Sequence, residues 1–201
     1  MAHYYAIIDF ECTCWERMDT ADQGKLHEII EFPVVFLNSK TLQVDFEFHS
    51  YVRPIENPVL SPFCVQLTGI EQSQVQDADD LTTVLKSFSK FLIDNRIEKF
   101  TPCTDGPWDI LKFLGPETKR KAIQFPKWAQ RWIDIRLKFK YSFGLESWIG
   151  VESMLEYLGL EFKGRPHSGI DDARNIARIV RAVHQKYRKG VIKTNRRIDS
   201  L

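Results

Sequence analysis

Apolar positions recur along the chain with two different periods, and the periods predict the elements. Residues 4–10 form a short apolar run and 28–38 a longer one. In 42–53, Val44, Phe46 and Phe48 alternate with Asp45, Glu47 and His49, the period of a strand with one covered face. With Asn38, Ser39 and Lys40 as a turn, these segments predict three sequential strands, and Pro33 within the second predicts a bulge. In 81–95 the period changes: Leu81, Val84, Leu85, Phe88, Phe91 and Leu92 follow the spacing of an amphipathic helix. Further on, the pattern predicts a short strand at 99–103, a helix opened by Pro107 at its first position, a strand at 131–135, a helix at 152–158 and a long helix at 168–189. Strands followed by alternating helices and strands predict an α/β domain, a mixed sheet flanked by helices on both faces.

Composition narrows the class. A chain of 201 residues, 43% of them hydrophobic, fits one core and one domain, with no internal repeat or low-complexity linker. No apolar run is long enough to span a membrane and the start lacks a signal-peptide pattern, so the reading expects an intracellular protein, cytoplasmic or nuclear, not secreted. Cys12, Cys14, Cys64 and Cys103 lack the paired spacing of structural zinc sites and are too few for a disulfide framework; they read as reduced, mostly buried thiols. The net charge of +1 conceals a split: residues 1–100 hold 8 Lys+Arg against 16 Asp+Glu, and residues 101–201 hold 20 against 11. The basic half includes Lys119, Arg120, Lys121, Lys127, Arg131, Arg136, Lys138 and Lys140, then Lys186, Arg188, Lys189, Lys193, Arg196 and Arg197. Such segregation suits a polyanion lying across one side, although basic runs are ordinarily solvated helix faces.

Four places carry candidate chemistry. Asp9 and Glu11, two apart in the first predicted strand, leave one face roughly 6–7 Å apart while Phe10 faces the other way. Carboxylates this close repel wherever water is excluded; a divalent cation relieves the repulsion, as does simple solvation at a strand end. In the segment from Arg165 to Asn175, Ser168 reads as a helix N-cap and Asp171 as its capping-box partner. Asp172 has no such local explanation. It shares a helix face with Asn175, Ile176, Ile179, Val180 and Val183, where a carboxylate is costly unless compensated, and metal ligation is the natural compensation. His167, on the loop before this helix, can take a proton from water near neutral pH. In the segment from Thr104 to Leu111, Asp105 suits a turn and Asp109 the first turn of a helix; physics alone does not choose between them as a fourth acid, and Trp108 is most simply a core residue.

Taken together, Asp9-Phe10-Glu11, Trp108-Asp109 and His167 with Asp172 resemble the three motifs of the DEDDh family of 3'-5' exonucleases, which have a ribonuclease H-like fold. The segments 9–15, 28–33, 63–70 and 164–175 are closer still to its Eri-type branch. The likeness covers 4–190, which sets the expected nuclease domain at 1–190 and a basic tail at 191–201, with no nucleic-acid-binding domain expected ahead of Asp9. The resemblance implies a metal-dependent 3'-to-5' exoribonuclease acting on RNA or short single-stranded nucleic acid with a free 3' end and releasing nucleoside 5'-monophosphates. It makes Asp9, Glu11, Asp109 and Asp172 the ligands of two Mg2+ ions, replaceable by Mn2+, and His167 the general base. Phe10, Leu67, Thr68, Gly69, Trp108, Arg165 and His167 are its substrate-binding candidates. The alternatives are a catalytically silent RNA-binding adaptor on the same fold and a DNA-directed 3'-5' exonuclease.

Overall fold

In the computed structural model, which describes residues 3–16, 24, 26–186 and 192–198, the first apolar run forms β1 (Tyr4–Ile8), buried along its whole length. β2 (Glu11–Cys12) continues it, and β3 (Ile29–Asn38) and β4 (Val44–Tyr51) complete an antiparallel group. The pairing Ile8 with Val34 and Glu11 with Glu31 keeps one register along β3, so β1 and β2 form a single line of strand interrupted at Asp9 and Phe10. Beyond β1 the sheet turns parallel through β5 (Phe100–Thr104) and β6 (Arg131–Asp134), then antiparallel at β7 (Arg196–Arg197).

Pro33 does not create the expected bulge. It pairs in register with His49, and the irregularities fall instead between Phe36 and Leu37 and between Glu11 and Cys12. Counting along the ladder, Pro33 stands opposite the Asp9–Phe10 interruption, where a residue with no N–H is tolerated because the pairing is already open.

Alternation along β1 sends its side chains to two cores. Tyr4, Ala6 and Ile8 pack with Phe32, Phe36 and the Leu81, Val84 and Phe88 face of α3 (Leu81–Asp94), which Asp80 caps by accepting from Thr83 N–H. Tyr5 and Ile7 pack on the opposite side with Val35, Leu37 and three helices: α5 (Ile135–Phe143), α6 (Val151–Tyr157) and α7 (Gly169–Lys186). A smaller cluster holds α1 (Pro62–Thr68) and α2 (Gln72–Val75) against Ile30. The predicted strand at 131–135 stops at Asp134 because that side chain accepts from Leu137 N–H and starts α5. After Pro107 the chain makes a π-helical turn (Asp109–Leu114) running into α4 (Gly115–Arg120). Of the terminal basic run, Arg188 and Lys189 lie outside the described residues, whereas Ile192 is buried, its N–H donating to Tyr5 Oη at 2.9 Å. All four cysteines are free thiols, with Cys12, Cys64 and Cys103 buried. None of the described helices is long and apolar enough to cross a membrane.

The start of α7 rests directly on the end of β1. A Cβ on Gly169 would lie 2.5 Å from Asp9 O and 3.0 Å from both Glu31 Oε2 and Pro33 Cγ. Because the first obstacle is backbone, Gly169→Ala is expected to destabilise the fold by roughly 1–3 kcal/mol, read as a lower urea midpoint with an unchanged m-value.

Candidate active site

Each acid reaches the site by a different local route. Asp9 and Glu11 lie on the face of the β1–β2 line that looks toward α7, while Phe10 turns the other way into the α3 core, its ring 4.6 Å from that of Phe32. Asp172 arrives on the first turn of α7. That turn is not capped by the expected Ser168 and Asp171 pair. Glu31 supplies the cap from β3: its carboxylate accepts from Gly169 N–H at 2.9 Å and Ile170 N–H at 3.1 Å, and hydrogen-bonds His49 Nε2 at 2.7 Å. Asp171 instead accepts from Arg165 N–H and from the Arg174 guanidinium. Glu31 is a positioning residue absent from the sequence-derived set. Its signal was the one that singled out Asp172, a carboxylate inside an otherwise buried stretch, here Ile29–Asn38.

Asp9, Glu11 and Asp172 converge so that one oxygen of each lies within 4.8 Å of the others. Burial pushes the Asp9 carboxyl well above its ordinary range, and Asp109, Glu11, Asp172 and Asp105 push it further. Burial and then the neighbouring Glu31 raise Glu11 to about 9; burial raises Asp172 to about 7 against a backbone hydrogen bond from His167. Asp172 Oδ2 is buried without a hydrogen-bond partner among the described residues. An orphaned buried oxygen beside two further carboxylates fits a hard divalent cation, since three oxygen donors with no sulfur or nitrogen among them match the preferences of Mg2+ and Mn2+.

The fourth acid stands slightly apart. Asp109 and Asp105 both line a cleft of about 510 Å³ together with Asp9, Phe10, Glu11, Trp108, Arg136, Pro166, His167 and Asp172. Asp105 is held by Arg136, whose Nε and Nη2 donate to its two oxygens at 2.7 and 2.6 Å. Asp109 accepts Phe10 N–H at 2.7 Å, is raised to about 7 by burial, and is not one of the three clustered carboxylates. Trp108 is not a core residue: it is 51% exposed, because Asp109 and Ile110 rather than Trp108 face inward on the π-helical turn. His167 is exposed on the cleft wall with φ +61, a left-handed conformation that few residues other than glycine adopt.

The remaining substrate-binding candidates gather elsewhere. Arg165 Nη2 donates to Gln66 O at 2.8 Å, and its guanidinium fills the space a Cβ on Gly69 would need. Gly69 ends α1 at φ +74, and the Thr68 hydroxyl donates to Cys64 O while accepting Ile70 N–H. Leu67, Thr68, Gly69 and Arg165 therefore form one group, joined to the cleft through Pro166 and His167.

A family model described as Exonuclease, RNase_T, matches residues 6–180. The chain is 44% identical over 180 residues to 3'-5' exoribonuclease 1 of Rattus norvegicus, covering 88% of this chain and 51% of that protein. It is 39% identical over 197 residues to ERI1 exoribonuclease 2 of Homo sapiens, covering 87% of this chain and 27% of that protein. The chain thus spans about half or less of the length of these curated relatives. It is similar to a crystal structure of the nuclease domain of 3'hExo, a DEDDh family member, bound to rAMP, with a TM-score of 0.86 and 38% identity over 97% of each chain.

The crowded carboxylates predict a metal effect on stability that needs no substrate. Millimolar Mn2+ should raise the melting temperature, by the equivalent of about 2.7 kcal/mol once the ion reaches a hundred times its Kd. Asp172→Asn should abolish the rise and, in EDTA, melt no lower than the wild type because one repelling charge is gone. Differential scanning fluorimetry reads both.

Proposed function

The chain belongs to the RNase_T exonuclease family, on its DEDDh branch with the ribonuclease H-like fold, and we propose that it removes nucleotides singly from the 3' end of RNA. The observation that carries this reading is the meeting of Asp9, Glu11 and Asp172, with an unpartnered Asp172 oxygen, in a cleft that also holds Asp109, Trp108 and His167. RNA is favoured as substrate by the relatives, named as 3'-5' exoribonucleases, and by a 38% identical structure described as 3'-end specific recognition of histone mRNA stem-loop by 3'-exonuclease.

Held by Asp9, Glu11, Asp109 and Asp172, a pair of Mg2+ ions, replaceable by Mn2+, would supply Lewis acidity at the scissile phosphate and make its attacking water more acidic. The chain's own residues do the rest. An imidazole nitrogen of His167 takes the proton from the attacking water as the new P–O bond forms. The bond from phosphorus to the 3' oxygen breaks, and the terminal residue leaves as a nucleoside 5'-monophosphate. The exposed indole of Trp108 offers a stacking surface for the terminal base, and Phe10, buried against Phe32, also borders the cleft. The group of Leu67, Thr68, Gly69 and Arg165 holds the terminal sugar and phosphate. Arg165 is anchored for this role through Gln66 O.

With 5'-labelled single-stranded RNA, stem-loop RNA and DNA, the expected result is a one-nucleotide ladder in Mg2+ on an RNA substrate that vanishes in EDTA. Binding without metal-dependent shortening would leave only an adaptor, and shortening confined to DNA would move the substrate class. His167→Ala should lower kcat by roughly 10²–10⁴-fold with little change in end binding; full turnover in that variant would remove His167 from the mechanism. Replacing Lys186, Lys193 and Arg197 with Gln should flatten the dependence of log Kd on log salt by up to about one unit for each phosphate no longer neutralised, measured by filter binding. An unchanged slope would show that this run holds no phosphate.

A further inference from the structure

The cleft rim carries an aromatic group that the reaction outlined above leaves unused. Trp148 is 58% exposed, and the Arg136 guanidinium lies over its ring, 5.0 Å from the centroid. Arg136 is fixed in this pose by its two hydrogen bonds to Asp105. Its stem and Trp108 both approach Gly106: a Cβ there would stand 3.6 Å from Arg136 Cδ and 3.9 Å from Trp108 Cδ1, so both side chains flank the same glycine. Arg136 lines the cleft, as do Gly150, Val151, Glu152 and Ser153 immediately beyond Trp148. Arg136, which lines the cleft, therefore neighbours two indoles, Trp108 across Gly106 and Trp148 beneath its guanidinium, each more than half exposed.

A surface cation–π pair contributes only about 0.5–1 kcal/mol, which accounts for the contact but not for an indole left so open to water. Single-stranded nucleic acids are bound by this combination, successive bases stacking on aromatic side chains while cations track the backbone. We propose that Trp148, held by Arg136, is a second stacking platform, taking the base of an upstream nucleotide of a single-stranded RNA whose terminal base lies at Trp108. The proposal rests on the nuclease reading for the position of the 3' end. With the Arg136 side chain standing between the two indoles, it specifies a substrate with an unpaired 3' segment of more than two nucleotides, since a base held in a duplex has no free face to offer the indole.

The test is fluorescence anisotropy of 5'-labelled oligouridine, as a dinucleotide and as an octanucleotide, in EDTA so that no turnover intervenes. In Trp148→Ala the ratio of octanucleotide to dinucleotide affinity should fall roughly 5- to 100-fold, the range that one base–aromatic stack spans. The salt slope should stay unchanged because every cation that meets a phosphate is still present, and Trp148→Phe should recover most of the affinity. An unchanged ratio, or a fall equal for both lengths, overturns the platform. Hydrolysis of the octanucleotide by the wild type in Mg2+ is followed alongside; its absence would count against the nuclease reading, while the anisotropy result decides the platform independently.

Discussion

The site depends on how closely the first turn of α7 approaches the interrupted β1–β2 strand. Two residues make that approach possible. Gly169 presents no side chain to Asp9 O, and Glu31 receives the first two N–H groups of the helix on a carboxylate that is itself buried. Charge-assisted hydrogen bonds of this kind are about twice as strong as neutral ones, and the positive end of the helix dipole further favours an acid there. With the helix start fixed to β3, Asp172 falls beside Asp9 and Glu11 on the neighbouring strand line.

The same arrangement concentrates repulsion. Glu31 stabilises the helix start yet raises Glu11, so the cap and the ligand cluster oppose each other electrostatically. The surrounding acids are compensated one by one: Asp105 by Arg136, Asp109 by Phe10 N–H, Asp171 by Arg165 N–H and Arg174. What remains uncompensated is confined to the three carboxylates that face one another, with the Asp172 oxygen as its clearest sign. Negative charge is thus focused at one point of the cleft and neutralised around it, which is the distribution a cation-binding centre requires.

Elements whose stabilising contacts are local were legible in the sequence. The alternation of 42–53 and the apolar stripes of α3 and α7 follow directly from burial on one face, and the carboxylate on the α7 stripe gave Asp172. Long-range partners were not legible. Ser168 and Asp171 satisfy a local capping rule, but the partner that caps α7 stands 138 positions away along the chain. Pro33 implied a bulge in its own strand because its neighbour's interruption at Asp9 and Phe10 cannot be seen from the β3 sequence. Trp108 read as core from its size, whereas the π-helical turn rotates it outward and buries the smaller Asp109 and Ile110. The two-residue strand β7 is too short for any periodicity to reveal.

The opposed charges of the two halves of the chain also acquire a different meaning in the fold. Several of the basic residues that would suit a polyanion are already committed to acids of the first half. Lys121 pairs with Glu28, and also with Glu117 of its own half, Arg120 pairs with Glu56, and Arg174 pairs with Glu47. The Lys121 bridge is buried at its acidic end, where Glu28 also accepts Ile55 and Asn57 N–H, so removing its cation would leave two carboxylates uncompensated in a setting where that is costly. Arg196 is tied to Asp134 within its own half and is committed in the same way. Much of the asymmetry is therefore internal, a means of docking the helical second half onto the strand-rich first. Recognition of a phosphate backbone then falls to fewer cations placed by geometry, and in a site with few such charges, stacking on exposed rings carries a larger share of binding than the overall charge pattern implies.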